Sequence, residues 1–165
     1  MTQIDTLSSA LTRSRLVALA AVGSLAVLLG AFAFQAAGYA PCAMCLWQRW
    51  PHAIAIGLGL LFALTRGRWV ALLGALTMIV SAGLGVFHTG VERDWWEGPT
   101  SCTSTGDSLS GLSGADLLPS ASMDVSIALC DEVVWDLFGL SMASYNALAS
   151  VVFVALWLWA WKSRV

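Results

Sequence analysis

Long apolar runs separated by short polar segments dominate the chain. No Asp, Glu, Lys, Arg or His occurs from Leu16 to Gln48. This run is well over the ~20 residues that cross a hydrocarbon core, and Gly38 and Pro41 are its natural break. The pattern predicts four membrane-spanning helices, at about 16–37, 46–64, 69–87 and 143–161.

These elements predict an all-α membrane protein: a four-transmembrane-helix bundle forming one integral domain over residues 1–165. We expect a short first outer loop at 38–45 and a long second one at about 89–142. The first apolar run exceeds the 7–15 residues of a signal-peptide core, which predicts an uncleaved span. Within the long loop, residues 133–138 mix apolar and acidic positions. They fit a short amphipathic helix on the membrane surface or a plain loop tail packed on the bundle.

Composition and charge exclude other classes. Apolar residues make up 58% of the chain and charged residues 11%, which excludes an ordinary soluble domain and a disordered chain. The net charge of −2 lacks the basic excess of a nucleic-acid-binding protein. Most basic residues fall before span one, between spans two and three, or after span four: Arg13, Arg15, Arg66, Arg68, Lys162 and Arg164. By the positive-inside rule, both termini are predicted to be cytoplasmic.

All four cysteines then lie on the opposite face, which in a bacterium is an oxidising compartment. Cys42 and Cys45 form a Cys-x-x-Cys pair, which can be redox-active or half of a metal site. Cys102 and Cys130 are too far apart in sequence for a compact zinc site, so we predict no metal. A disulfide between these two would stabilise the loop by roughly 3.5 kcal/mol on the loop-entropy model.

Position strengthens the redox interpretation. Pro41 suits a first helical turn, which places Cys42 and Cys45 at the N-terminus of span two, where a thiolate is favoured. Arg49 lies one turn after Cys45 on the same face, and an ionisable residue inside a span is a functional candidate. His52 extends this stripe as a packing residue. His88, at the outer end of span three, is either a ligand-binding or proton-moving residue or an ordinary interfacial one.

Two dithiol pairs on one membrane face indicate a disulfide relay, in which thiolates attack disulfides in turn. An apolar stripe beside Cys45 and Arg49 suits a lipid-soluble electron acceptor such as a quinone, although spacing alone does not identify it. His88 is a further candidate to bind the quinone carbonyls.

The run Cys42-Ala-Met-Cys45-Leu-Trp-Gln48-Arg49 resembles the Cys-x-x-Cys-x-x-Gln-Arg signature of the disulfide bond formation protein B (DsbB) family. The four predicted spans, the Cys102/Cys130 pair and the segments 98–102, 130–132 and 138–141 resemble that family too. The similarity covers nearly the whole chain.

The resemblance implies an oxidoreductase of the bacterial inner membrane. It would reoxidise a periplasmic thioredoxin-fold dithiol oxidase (DsbA-like) and pass the electrons to ubiquinone or menaquinone in the membrane quinone pool. By the same resemblance, Cys102 would form the mixed disulfide with the partner and Cys130 would exchange with Cys42. Cys45 would face the quinone, and Arg49 would stabilise its thiolate and the bound quinone.

Three other functions remain as alternatives. A four-span structural or interaction protein with a disulfide-stapled outer loop would not need the Cys-x-x-Cys pair at the head of span two. A reductase of the vitamin K epoxide type carries its active pair late in the chain, whereas here the pair opens span two. A metal transporter would carry acids or several histidines inside the spans, where this chain has only His52.

Overall fold

The fold was obtained as a computed structural model, which describes residues 13–99 and 129–163. Within these residues the chain forms four helices and one two-stranded hairpin. The elements are α1 (Arg13–Ala36), α2 (Ala43–Thr65), α3 (Arg68–Glu92), β1 (Asp136–Leu137), β2 (Leu140–Ser141) and α4 (Met142–Lys162). Each helix overlaps a predicted span. Helix α1 begins at Arg13 and ends at Ala36, one residue short of the predicted end, and the other three extend their spans, most of all α3, which continues to Glu92.

Three of these helices, α1, α3 and α4, are long and apolar enough to cross a membrane. Helix α2 has 23 residues and is not among these three, and its first turns carry the polar residues Gln48, Arg49 and His52. Length and composition therefore support a multi-pass membrane protein, with the polar residues concentrated at one end of α2.

Small residues let α3 and α4 pack closely. A Cβ built on Gly74 would lie 2.4 Å from the Trp157 indole, and one on Gly85 would lie 2.9 Å from Ala147. Trp157 and Met78 are fully buried in a core that also contains Leu16 from α1. Side-chain packing of this kind is what holds helices together in a membrane, where the hydrophobic effect gives little drive.

Basic side chains tie the helix ends together far from the cysteines. Arg13 donates from Nε to the Ala160 carbonyl at 3.0 Å, and Arg66 donates to Ser14 Oγ at 2.5 Å. Arg66 caps the C-terminus of α2, whereas Cys42 caps its N-terminus. Since a 23-residue helix is roughly 34 Å long, the basic end and the thiol end lie on opposite sides of the bundle.

The alternative of an amphipathic helix at 133–138 is wrong. Residues 136–141 form a hairpin in which Leu137 pairs with Leu140. Phe138 and Gly139 connect the strands with φ values of 53° and 74°. Positive φ at both central residues is what a two-residue hairpin turn requires, and it is incompatible with a right-handed helix. Arg93 donates to the Gly139 carbonyl at 2.8 Å, which fastens the hairpin to the end of α3.

Candidate functional site

The Cys-x-x-Cys pair begins helix α2, as the sequence predicts. Cys42 is the N-cap, with extended backbone, and its Sγ accepts a hydrogen bond from the Cys45 amide at 3.2 Å. The two Sγ atoms lie 2.8 Å apart, with Cys42 donating to Cys45. The free N–H groups of the first turn favour negative charge on these sulfurs.

The two thiols differ in how readily they lose a proton. The hydrogen bond to Cys45, together with burial, raises the pKa of the Cys42 thiol. Cys42 is 3% exposed, whereas Cys45 is only half-buried. Cys42 therefore keeps its proton, and Cys45 is the sulfur that can carry the thiolate.

Helix α3 and the segment before the hairpin bring two more predicted residues to the pair. His88 Nε2 lies 3.5 Å from Cys42 Sγ, and the His88 ring is also hydrogen-bonded to the Cys130 backbone. Cys130 is fully buried in a cluster with Cys42, Met44 and Val91. Three of the four predicted cysteines are thus assembled. The fourth, Cys102, lies outside the described residues.

Arg49 reaches from α2 to the last turns of α1. Its Nη1 donates to Gln35 Oε1 at 2.7 Å, and its guanidinium carbon lies 4.8 Å from the centre of the Phe32 ring. Nη2 approaches the Ala31 carbonyl at 3.5 Å. Nε is buried and has no hydrogen-bond partner among the described residues. Arg49 is therefore held in place with one buried donor still available.

These residues surround a cavity of about 470 Å³. All four residues of the predicted stripe along α2 line this cavity: Cys42, Cys45, Arg49 and His52. The opposite wall includes apolar side chains of α1, such as Val27, Leu28 and Phe34. A mainly apolar cavity with a few converging polar groups is typical of a small-molecule site.

Three polar residues at the site were missed or assigned no role from sequence. Gln48 was noted only as part of the Cys-x-x-Cys-x-x-Gln-Arg motif, and Asn146 and Glu92 were not singled out. Asn146 Nδ2 donates to Gln48 Oε1 at 2.7 Å, and Ser141 Oγ donates to Glu92 Oε2. Asn146 could have been found from the sequence, because it is an amide inside the apolar run of span four, where a polar side chain needs a hydrogen-bond partner.

The same geometry bears on metal binding. Donor atoms of Cys42, Cys45 and His88 all lie within 4.8 Å of one another, which is close enough to surround an ion. Two thiolates on tetrahedral zinc would stand about 3.8 Å apart, given Zn–S bonds of ≈ 2.3 Å. The observed sulfur separation is 2.8 Å, and the described residues bring three candidate ligands together where a structural zinc site has four.

Comparison with known proteins identifies a family. The family model described as "Disulfide bond formation protein DsbB" matches residues 13–160. The chain is 29% identical over 122 residues to "Disulfide bond formation protein B" of Shewanella amazonensis, covering 72% of this chain and 71% of that protein. It is 27% identical over 131 residues to "Uncharacterized protein RP370" of Rickettsia prowazekii, covering 76% of each. No solved structure matches the chain. A thiol pair at a helix N-terminus, a third cysteine packed against it and a family match over all four helices lead to one conclusion: this chain belongs to the DsbB family of disulfide bond formation oxidoreductases.

Proposed function

We propose that this protein reoxidises a DsbA-like periplasmic dithiol oxidase and passes the electrons to a membrane quinone, ubiquinone or menaquinone. The observation that carries the proposal is the Cys42–Cys45 pair, 2.8 Å apart at the head of α2 and facing a cavity beside Arg49. Membership in a disulfide bond formation family supports a redox role for the thiols.

The cavity fits a quinone head group. Its walls are largely apolar, as a flat lipid-soluble ring requires, and its volume of about 470 Å³ is in the usual range for small-molecule sites. Carbonyl oxygens accept hydrogen bonds, and the buried Nε of Arg49 is a donor without a partner among the described residues. Arg49 and Cys45 would hold the ring, and His88, the weaker third candidate, also lines the cavity.

A bound quinone would supply a two-electron, two-proton acceptor. The protein's own contribution is a dithiol whose oxidation to the Cys42–Cys45 disulfide releases two electrons and two protons. Cys45 carries the more exposed sulfur, at the N-terminus of a helix that favours its thiolate. Arg49 balances the negative charge from the next turn of α2, and the apolar wall limits access of water.

Delivery of electrons to this pair is assigned to the other two cysteines. Cys130 packs against Cys42 and would exchange with it, each attack forming one S–S bond and breaking another. Cys102 would form the mixed disulfide with the partner, a role that rests on the family resemblance. The basic residues at the far end of the bundle support cytoplasmic termini and a periplasmic thiol end in the inner membrane of a bacterium. The chain would act there as a single integral domain.

Turnover of purified protein tests the proposal. The full-length protein in detergent is mixed with a reduced thioredoxin-fold dithiol oxidase and ubiquinone, and quinone consumption is followed by absorbance. We expect consumption with the parent protein and none with Cys45→Ser.

The matched control is Ser24→Ala, which removes a buried hydroxyl hydrogen-bonded to Met78 in the α1–α3 contact, away from the thiols. It should turn over as the parent does. Unchanged turnover in Cys45→Ser would refute the mechanism, and so would a parent protein that oxidises the partner without consuming quinone.

A further inference from the structure

Side chains from α2, α3 and α4 form one hydrogen-bonded chain that ends at the thiol pair. His52 Nε2 lies 2.7 Å from Asn146 Oδ1, and Asn146 Nδ2 donates to Gln48 Oε1 at 2.7 Å. Gln48 Nε2 lies 2.6 Å from His88 Nδ1. In order, its members are His52, Asn146, Gln48, His88, Cys42 and Cys45.

A backbone carbonyl fixes the direction of this chain. Gln48 Nε2 also lies 3.4 Å from the Met44 carbonyl oxygen, which can only accept a hydrogen bond. The Gln48 atom facing both Met44 and His88 must therefore be the amide nitrogen. Its oxygen then faces Asn146, whose own nitrogen donates to it and whose oxygen is left for His52.

The His52 end of the chain fits either direction. His52 Nδ1 is buried and has no hydrogen-bond partner among the described residues. In the reversed chain Asn146 would donate to His52 Nε2, and the proton of a neutral His52 would have to sit on Nδ1. An unpartnered buried nitrogen costs ~1–3 kcal/mol in both directions, so the direction is set at Gln48 and not at His52.

That direction determines the tautomer of His88. Because Gln48 donates to Nδ1, a neutral His88 carries its proton on Nε2. Nε2 is the nitrogen that lies 3.5 Å from Cys42 Sγ, and Cys42 in turn donates to Cys45. The Cys130 backbone also accepts a hydrogen bond from the His88 ring, so Cys42 shares that N–H with it. Apart from this second hydrogen bond of His88, the donors in the chain point the same way, toward Cys45.

We propose that Gln48 and Asn146 are positioning residues that hold His88 in its Nε2–H tautomer and thereby polarise the thiol pair toward a Cys45 thiolate. Hydrogen bonds aligned head to tail strengthen one another, most of all in a low-dielectric interior. The positive ends of the aligned groups face Cys45, so they add to the effect of the α2 N-terminus. The inference rests on the proposed function, in which Cys45 is the reacting sulfur.

The tautomer of His88 is measured by NMR on the reduced, ¹⁵N-histidine-labelled protein in detergent. The chain has only two histidines, and a His52→Phe variant assigns their signals. We expect His88 to be protonated on Nε2 in the parent. Gln48→Glu places an acceptor-only group against Nδ1, so it should move the proton to Nδ1. A parent protein with the proton on Nδ1 overturns the proposal without any variant, and so does an unchanged tautomer in a folded Gln48→Glu protein.

A reactivity measurement tests the far end of the chain. In a Cys102→Ser/Cys130→Ser background only Cys42 and Cys45 remain, and the alkylation rate of Cys45 by iodoacetamide reports its thiolate. Asn146→Leu removes the hydrogen bonds of this side chain to His52 and Gln48, so the Gln48 amide is no longer held in one orientation. Alkylation should slow roughly threefold, which corresponds to less than the full net free energy of one hydrogen bond. The control Ser24→Ala loses a buried hydrogen bond elsewhere and should alkylate at the parent rate.

An Asn146→Leu protein that alkylates as fast as the parent overturns the proposal. Neither quinone nor partner is present in these two measurements. The tautomer and alkylation results can therefore contradict the positioning proposal while quinone consumption persists. If quinone consumption is absent, both results still test the positioning proposal.

Discussion

Cys42 has two separable roles, one structural and one chemical, and two substitutions distinguish them. As the N-cap of α2, its Sγ accepts the Cys45 amide at 3.2 Å. As half of the dithiol, it lies 2.8 Å from Cys45 Sγ. Cys42→Ser keeps an acceptor at the cap and removes the dithiol, whereas Cys42→Ala removes both.

The structural difference follows from the cap alone. Serine is among the best N-cap residues, and replacing such a cap by alanine typically costs ~1 kcal/mol. For a protein of this size that corresponds to a fall of roughly 2–4 °C in the unfolding midpoint. Both variants lose the Cys42–Cys45 disulfide equally, so its contribution cancels in the comparison.

Thermal unfolding in one detergent at one scan rate, paired with quinone consumption, measures both effects. We expect Cys42→Ala to unfold roughly 2–4 °C below Cys42→Ser, and neither variant to consume quinone. Equal midpoints would refute the capping argument. Turnover by Cys42→Ser would refute the assignment of Cys42 to the redox pair, because a hydroxyl does not form a disulfide.

Further outcomes follow from the cavity and the packing. Arg49→Ala should raise the KM for quinone roughly tenfold or more, which corresponds to the loss of one charge-assisted hydrogen bond. The loss of stability should be smaller, because the hydrogen bond from Arg49 to Gln35 is exposed. An unaltered KM in steady-state kinetics would exclude Arg49 from the quinone site. Gly74→Ala forces a methyl group against Trp157 and should destabilise the protein by ~1–3 kcal/mol in thermal unfolding. The added methyl of Gly83→Ala, in the same helix, meets no atom within 4 Å, so this control should be neutral or slightly stabilising. Equal effects of the two variants would contradict the packing of α3 on α4. Dialysis against EDTA should change neither turnover nor the unfolding midpoint, since a structural zinc site has four protein ligands and the described residues bring three together. A loss of either on chelation would point to a bound metal.

Much of the site was predictable from local spacing. A helix repeats every 3.6 residues, so Cys42, Cys45 and Arg49 had to share one face of α2, and all three line the cavity. Apolar runs located the helices for the same reason, because a bilayer requires ~20 apolar residues per crossing whatever their neighbours. The hairpin at 136–141 was harder to predict, since it depends on positive φ at Phe138, a residue type without a preference for that conformation.

The sequence by itself determined the features that depend on position along one helix. These are the positions of the four helices, the stripe on α2 and the thiol pair at its N-terminus. Only the tertiary structure placed His88 beside Cys42 and joined Asn146 to Gln48, residues 98 positions apart in the chain. Contacts of that kind depend on how far α3 and α4 are rotated and shifted against α2. Close packing at glycines such as Gly85 sets that rotation, and apolar periodicity does not encode it.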